Sequence, residues 1–512
     1  PFFMWVHLYD AHAPYAPPQE FLEKAGNAYD GEIAYVDAQV GRLLDALEAH
    51  GLTSSTVVAV TGDHGESLGE HGEATHGMLA YDATLRVPLI VSAPGSDAGV
   101  SETPLSLTEL PSALLQATGA AMPAGQMCGG ALLHRPGAGS QASEPCDVYS
   151  ESRYPRRAGW HAITALSDSQ WKLIVTSERE LFDVRTDPNE QRNVASSHEN
   201  IVQAMGTRLN GLASAGGADA AQVAPEAAER LRSLGYASGS NAISSDDPKA
   251  PNPAAAIASW VVFERALGDL QAGRAVVALP SLKALMTQHP AAPVFQATYA
   301  QALKEAGRTR EAMVIYRAAV AKWPNDATLF HDLAVAAREA GDAAEAARAE
   351  QAALALDGTS AMAQNGLGLL HADAGRSGES AAAFEKAVAQ DPTNASYWTN
   401  LGNARRALAD APRAEAAYRK ALGIDEGFAD AINGLGTLLV QSGRASEGVP
   451  LFERALRRDP ELHEARLNLG IAYQESGQRE KAAATYREVL KKTPPRFARE
   501  RTAAGELLKS IK

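Results

Sequence analysis

The sequence predicts an α/β domain followed by an all-helical solenoid, and two patterns support this division. Over residues 1–122, short apolar segments alternate with amphipathic helical patterns, which is typical of a doubly wound α/β fold. From residue 259 to residue 496, small residues return every 34 positions, a period typical of stacked helix–turn–helix units. A length of 512 residues is enough for about three structural units.

Charge and hydropathy argue against some classes of function. The net charge is −14 and no run of lysine or arginine occurs, which argues against nucleic acid as the main partner. No run of 18 apolar residues is present, so no transmembrane helix is predicted. The chain starts at Pro1 without a basic segment or a cleavage site, so we expect the N-terminal part of the protein, with any export signal, to lie upstream.

The α/β region contains strands and helices in alternation. Its strands are apolar and rich in β-branched residues, and its helices show apolar residues at helical spacing. We expect the strand at residues 56–60 to be buried and parallel to its neighbours. The predicted elements are, in order, a strand at 2–9, a helix at 30–50, strands at 56–60 and 87–91, and a helix at 105–118.

A smaller subdomain and a linker separate this region from the repeats. Residues 123–213 predict an antiparallel α+β subdomain with strands at 147–150, 171–175 and 180–184 and a helix after them. Residues 214–258 are rich in Ala, Gly, Ser and Pro, which indicates a linker, with one helix at 225–234. The two cysteines, Cys128 and Cys146, are not enough for a disulfide framework. The sequence is compatible with one disulfide between them and with two free thiols.

The 34-residue period is that of the tetratricopeptide repeat, and it predicts seven units over residues 259–496 and a capping helix at 497–512. The third unit departs from the pattern, with Glu350 at the position where five of the other units have Tyr or Phe. Stacked units of this kind leave a concave groove, so we expect a peptide or protein partner there. A spacer or an oligomerisation arm is the alternative. Small residues recur at Ala266, Ala300, Ala334, Gly368, Gly402, Gly436 and Gly470.

Residues 61–77, directly after the strand at 56–60, have the composition of a metal site. These seventeen residues hold three histidines and four carboxylates, and neither lysine nor arginine. So many acidic groups are costly to hold together unless a cation neutralises them. Asp63 and His64 follow the strand end, where open α/β sheets bind ligands, so both are predicted metal ligands. His12, beyond the strand at 2–9, and His76 are expected to join this site.

Four segments of the first 213 residues carry motifs that are informative together. They are Asp-His-Gly-Glu at 63–66, Arg-Val-Pro-Leu-Ile at 86–90, Asp-Ala-His-Ala-Pro-Tyr at 10–15, and Glu-Leu-Phe-Asp at 180–183 with Asp187, Pro188, Glu190 and Asn193. Taken together, these motifs resemble the sulfatases of the alkaline phosphatase superfamily. The resemblance covers about residues 1–213, and it implies that residues 1–122 are the C-terminal portion of a sulfatase-like, doubly wound domain.

The resemblance implies a hydrolase that acts on sulfate esters, and it gives roles to four residues. Asp63 and His64 match two ligands of the family's divalent metal, with Ca²⁺ expected and Mg²⁺, Mn²⁺ or Zn²⁺ as alternatives. His12 matches the histidine that protonates the leaving alcohol. His76 stands where many members have a lysine that contacts the sulfate, and it would contact the transferred group in that lysine's place.

The family's nucleophile is a formylglycine made from the cysteine of a Cys-x-Pro-x-Arg frame. Neither Cys128 nor Cys146 stands in such a frame. We therefore expect the formylglycine and two further carboxylate ligands upstream, and we expect these 512 residues alone to be inactive. An extracytoplasmic location, periplasmic or secreted, is also expected.

Two alternatives remain open on the sequence. A His-Gly after a similar acidic loop also occurs in phosphoethanolamine transferases of the superfamily, so a phosphoester or phosphonate hydrolase or such a transferase is the first. The second is a binding scaffold whose catalytic half is inactive. Three other histidines have no catalytic role in this scheme. His7 could point into the site, His71 is expected with Glu70 and Glu73 on a solvated loop face, and His50 is expected at the end of a helix.

Overall fold

The computed structural model describes residues 2–13, 15–96, 98–100, 104–120, 147–215, 247–495 and 497–511. They belong to two compact units, residues 2–215 with 247–265 and residues 266–511. The first unit contains helices and small antiparallel sheets and the second only helices among its described residues, which confirms the predicted fold class. Cys128, Cys146 and the predicted helix at 225–234 lie outside the described residues.

The first unit begins with an irregular segment. Residues 2–10 form neither helix nor strand, and the side chains of Phe3 and Trp5 are 87% and 79% exposed. The prediction of a strand at residues 2–9 is therefore wrong for this structure. An extended apolar segment becomes a strand only where another strand pairs with its backbone, and none of the described strands does so here.

Two helices follow this segment, α1 (Gln19–Ala25) and α2 (Ala28–Ala49). The side chain of Asn27 caps α2 by accepting a hydrogen bond from the Asp30 amide, and His50 is the residue at the C-terminal cap, as predicted. Gly31 lies against the chain before α1. A Cβ atom at Gly31 would stand 2.8 Å from the Pro17 ring, so glycine allows this approach.

The strands β1 (Val58–Thr61) and β2 (Leu89–Ser92) form a two-stranded sheet that corrects one expectation. They pair antiparallel, with Val58 opposite Ser92 and Thr61 opposite Leu89, whereas the sequence predicted a parallel strand. A short apolar run rich in β-branched residues is compatible with either direction, so the sequence pattern could not decide between them. The helices α3 (Asp82–Leu85) and α4 (Leu110–Thr118) precede and follow β2.

A four-stranded antiparallel sheet in the order β3-β4-β5-β6 makes up the small subdomain. Leucines of β4, β5 and β6 pack against the helix α5 to form its core. Three strands were predicted, and β4 was not. The turn before β5 carried the missed signal, because the Asp168 carboxylate accepts hydrogen bonds from the Gln170 and Trp171 amides. The elements are β3 (Val148–Ser152), β4 (Ile163–Ser167), β5 (Trp171–Val175), β6 (Arg179–Asp183) and α5 (Glu199–Ala215).

The repeat region consists of helices at the predicted spacing. Second helices begin every 34 residues from Ala275 to Arg479, and first helices do so from Pro293 to His463. The helices are α6 (Pro253–Gln271), α7 (Ala275–Gln288), α8 (Pro293–Glu305), α9 (Thr309–Lys322), α10 (Ala327–Glu339), α11 (Ala343–Leu356), α12 (Ala361–Asp373), α13 (Ser377–Gln390), α14 (Ala395–Ala407), α15 (Ala411–Ile424), α16 (Ala429–Gln441), α17 (Ala445–Arg458), α18 (His463–Glu475), α19 (Arg479–Lys492) and α20 (Ala498–Ser510).

Small residues make room for aromatic side chains in this array. A Cβ atom at Gly368 would stand 2.5 Å from the Phe384 ring, so the small residue of one helix receives the ring of the next. In the third unit the buried side chain is Glu350, whose carboxylate lies 3.0 Å from Nδ1 of His331. Across the described residues, no helix is long and apolar enough to span a membrane.

Candidate active site

Asp63 and His64 lie in the loop that follows β1. Nδ1 of His64 donates a hydrogen bond to the Gly65 carbonyl at 2.9 Å, because a carbonyl oxygen only accepts. In the neutral ring this leaves the lone pair on Nε2, which lies 3.8 Å from Oδ2 of Asp63. The other Asp63 oxygen accepts from the His64 amide at 3.0 Å. A carboxylate oxygen and an imidazole nitrogen are thus held near one point.

Gly65 fixes this loop against α3. Its amide donates to the Thr84 carbonyl at 2.8 Å, and a Cβ atom at this position would stand 2.4 Å from the Ala83 carbonyl oxygen. Such a distance is well inside van der Waals contact, so only glycine permits the approach. The glycine of Asp-His-Gly-Glu is therefore needed for the placement of the two residues before it.

His12 is held in place by a buried carboxylate of α2. Glu32 is 3% exposed, and its two oxygens accept hydrogen bonds from the His12 amide at 3.2 Å and the Ala16 amide at 2.6 Å. Nδ1 of His12 donates to the Ala13 carbonyl at 2.7 Å. Glu32 could not be predicted from the sequence, because a helical carboxylate carries no sign of a contact about 20 residues away.

His76 lies between the other two histidines. Its ring centroid is 4.1 Å from that of His64 and 5.4 Å from that of His12. Its Nδ1 lies 3.3 Å from both oxygens of Glu66, whose side chain is 5% exposed. This hydrogen bond raises the pKa of His76. The structure therefore brings together the four residues predicted from the sequence, in one loop cluster.

The loop that carries His76 is closed by Glu73. Oε1 of Glu73 accepts from the Met78 amide at 2.7 Å and the Leu79 amide at 3.2 Å, and the residue is 3% exposed. Burial raises the pKa of Glu73 to about 7. The two amides and the nearby His76 act in the opposite direction, and the nearby Glu264 adds to the increase. Glu73 was expected on a solvated face, and that expectation is wrong.

We expect Glu73 to make the first unit less stable as pH rises from about 5 to 7. The unfolded chain releases this proton near its usual pKa of about 4.3, whereas the folded chain keeps it until about pH 7. The difference disappears in Glu73→Gln, whose side chain keeps the accepting oxygen. Its stability relative to wild type should rise by on the order of 1–3 kcal/mol between pH 5 and pH 8 in urea unfolding. A constant difference would contradict the raised pKa.

The antiparallel subdomain contacts the same loop through Lys172 and through residues 180–193, which we call the closing segment. The Tyr81 hydroxyl donates to Oε2 of Glu180 at 2.7 Å. Nζ of Lys172 lies 2.6 Å from Oδ1 of Asp82 and 2.7 Å from Oε1 of Glu190. Both Lys172 and Glu190 are buried. The closing segment therefore positions the loop and supplies no side chain to the cluster of histidines in the contacts described.

The remaining histidines lie outside the cluster. His71 stacks on Tyr81 with ring centroids 3.6 Å apart, and its Nε2 lies 3.2 Å from the Asn189 carbonyl. His71 is half-buried by these contacts, and this burial lowers its pKa. His7 is exposed beside Trp5, with ring centroids 6.1 Å apart.

The two side chains present are of types that bind a divalent metal, but two ligands do not complete a metal site. Asp63 supplies a carboxylate and His64 a free imidazole nitrogen, and both are usual ligands of divalent cations. Within the ranges that the structure describes, no group of three or more His, Cys, Asp or Glu side chains could hold a metal ion. Any further ligands would come from outside these residues.

Comparison with known proteins separates the chain into the same two parts. Residues 1–120 match the family model "Sulfatase". Tetratricopeptide repeat models match residues 269–336, 331–395, 365–427 and 433–497. A solved tetratricopeptide repeat protein from Parabacteroides merdae is 16% identical, with a TM-score of 0.40, and the match covers 49% of this chain and 98% of that one.

Curated relatives match the N-terminal part. Iduronate 2-sulfatase of Homo sapiens is 42% identical over 98 residues, which are 19% of this chain and 18% of the relative. Choline-sulfatase of Rhizobium meliloti is 29% identical over 182 residues, 35% of each chain. The chain thus spans about a third or less of the length of these relatives.

Proposed function

Because residues 1–120 match the sulfatase family model and tetratricopeptide repeat models match later residues, we propose that this chain is part of a metal-dependent sulfuric ester hydrolase. The observation that supports this most is the convergence of three imidazoles. His12, His64 and His76 come from two separate segments, yet the ring of His76 lies 4.1 Å from that of His64 and 5.4 Å from that of His12, with Asp63 beside His64.

Each of the four residues has a role in this proposal. Asp63 and His64 hold the divalent cation, proposed to be Ca²⁺, which supplies charge stabilisation to the ester oxygens when bound. His76 acts as the imidazolium, which the hydrogen bond from Nδ1 to Glu66 favours, and donates from Nε2 to an oxygen of the sulfuryl group. His12 holds Nδ1–H on the Ala13 carbonyl and gives the proton of Nε2 to the leaving alkoxide.

The nucleophile does not come from the residues of this chain. Neither of its cysteines stands in a Cys-x-Pro-x-Arg frame, so no catalytic step is assigned to Cys128 or Cys146. We propose that a formylglycine and further metal ligands belong to protein outside these 512 residues. This chain alone would then bind the metal weakly and not turn over ester. The location proposed for the assembled enzyme is extracytoplasmic.

The repeat region is proposed to bind a peptide or protein partner. Stacked helix pairs expose a concave surface to a ligand, and repeat models cover much of residues 269–497. No groove residue identifies that partner. Partner binding by the repeats does not depend on the ester chemistry, so failure of either proposal leaves the other standing.

Phosphoryl transfer is the second candidate, and one residue favours it. His76 stands where many sulfatases have lysine, and sulfuryl and phosphoryl groups share a tetrahedral shape. Titration of the chain with inorganic sulfate and with inorganic phosphate, in the presence of Ca²⁺, separates the two. Tighter sulfate binding supports the sulfatase, and tighter phosphate binding supports a phosphoester hydrolase or transferase.

We expect Asp63→Ala to weaken Ca²⁺ binding to this chain by at least about 10–100-fold, since even loss of a group that only supports a ligand costs that much. Isothermal titration calorimetry with Ca²⁺, repeated with Mn²⁺, Mg²⁺ and Zn²⁺, measures the change. The control is Asp45→Ala, which removes an exposed carboxylate of α2 and should leave binding unchanged. Unchanged affinity in Asp63→Ala would remove Asp63 from the metal site.

A further inference from the structure

The helix α6 contacts the loop that carries His76. The Thr75 hydroxyl donates to Oε1 of Glu264 at 3.0 Å, and the Trp260 indole N–H donates to the same oxygen at 3.0 Å. Thr75 is the residue directly before His76. One carboxylate oxygen therefore joins α6 to the neighbour of a proposed catalytic residue.

α6 is longer than the other first helices of the repeats, and its side chains near this contact are buried. α6 has 19 residues, whereas the other first helices of the repeats, such as α8, have 13. Ile257, Trp260 and Phe263 are 6%, 4% and 2% exposed. A Cβ atom at Gly72 would stand 3.2 Å from the Ile257 side chain, so the start of the His76 loop lies against α6. Glu264 consequently projects from a rigid element.

His76 is flanked by two residues that distant parts of the chain hold. On one side, Glu264 holds the Thr75 side chain, while the Thr75 carbonyl accepts from the Ser67 amide at 2.9 Å. On the other side, the Ser152 hydroxyl donates to the Gly77 carbonyl at 2.6 Å. The ring of His76 is then oriented by Glu66. Loss of the hydrogen bond between Thr75 and Glu264 would leave His76 without this support on its Thr75 side.

We propose that Glu264 is a positioning residue for His76, so that the first repeat helix is also a structural part of the candidate active site. The inference rests on the proposed role of His76 in contacting the sulfuryl group. Positioning by groups that do not touch the substrate is common, because misplacement by about 1 Å can cost about 100-fold in rate. Here the positioning group belongs to the repeat segment.

The test observes the His76 ring directly. The full chain is labelled with ¹⁵N-histidine, and the ring signals of His76 are assigned by their loss in His76→Gln. Glu264→Ala should displace these signals, and Glu264→Gln, which keeps the accepting oxygen, should restore them. Arg265→Ala, which changes an exposed side chain of the same helix, should leave them in place. Displacement in the control, or no displacement in Glu264→Ala, would overturn the proposal.

A second pair of variants covers the case in which Glu264→Ala does not fold. Thr75→Val keeps the side-chain volume without the donor and should displace the His76 signals, whereas Thr75→Ser keeps the donor and should not. Unmoved signals in Thr75→Val overturn the proposal. The same samples titrated with Ca²⁺ test the proposed function separately, because absence of Ca²⁺ binding in the wild-type chain contradicts the metal site without affecting the ring signals.

Discussion

Replacing His12 with glutamine will slow the hydrolysis of alkyl sulfates by about 10²–10⁴-fold, the usual contribution of a general acid. An alkoxide is a strong base and leaves poorly unless it receives a proton as the bond breaks. An aryl oxide is a much weaker base and needs little help, so nitrophenyl sulfate should lose far less. The structure supports this role because Nδ1 of His12 is held by the Ala13 carbonyl, which leaves Nε2 to carry the transferred proton.

The measurement is kcat/KM for an alkyl and an aryl sulfate by release of sulfate, with the chain assembled together with the protein that supplies the formylglycine. His7→Gln is the matched control, since His7 belongs to the same N-terminal segment but lies exposed beside Trp5. It should retain both activities. Equal losses on the two substrates in His12→Gln would refute the acid role and leave His12 as a binding residue.

The repeat region was predictable because its signal is local and repeated. Each unit has a small residue at a fixed position, six of the seven units have a turn glycine and five have an aromatic residue at fixed separations from it. The helix starts of α7 to α19 keep the predicted 34-residue spacing. Even the exception was visible in the sequence. Glu350 replaces the aromatic residue of its unit, and the structure pairs it with His331.

The clustering of the candidate site residues was predictable because a strand end and a family motif mark them. Asp63 and His64 follow β1, and the motif that contains His12 identifies the second segment. Their supporting groups were not predictable in the same way. Glu32, Glu66 and Glu264 are ordinary carboxylates in sequence, and only the folded chain shows which backbone or side-chain group each one contacts.

The prediction of a strand at residues 2–9 was wrong for a related reason. An apolar alternation at residues 2–9 gives the preference of the segment for an extended backbone, whereas a strand also requires a partner. The direction of β1 was missed because pairing depends on the path of the chain between β1 and β2, through residues 62–88. Local patterns determine which elements form, and non-local contacts determine how they pair.

Replacing Lys172 with methionine should destabilise the antiparallel subdomain by about 3–5 kcal/mol, because removing one partner of a buried ion pair leaves uncompensated charge. Lys172 is fully buried between Asp82 and Glu190, and methionine keeps most of its aliphatic volume. Burial already raises the pKa of Glu190, and the charge of Lys172 acts in the opposite direction. Without the lysine, Glu190 should take up a proton, so part of the lost stability should return as the pH falls.

Hydrogen exchange of the amides of β4, β5 and β6 measures this change, since it reports on the subdomain without depending on the unfolding of the repeats. Lys24→Met, at an exposed lysine of α1, is the control and should leave exchange unchanged. Adding Glu190→Gln to Lys172→Met should recover part of the protection, because it removes the more deeply buried of the two carboxylates. Wild-type exchange rates in Lys172→Met would contradict this prediction. They would show that the stability of the subdomain does not need Lys172 to compensate the charges of Asp82 and Glu190, and that the closing segment holds the His76 loop by packing alone.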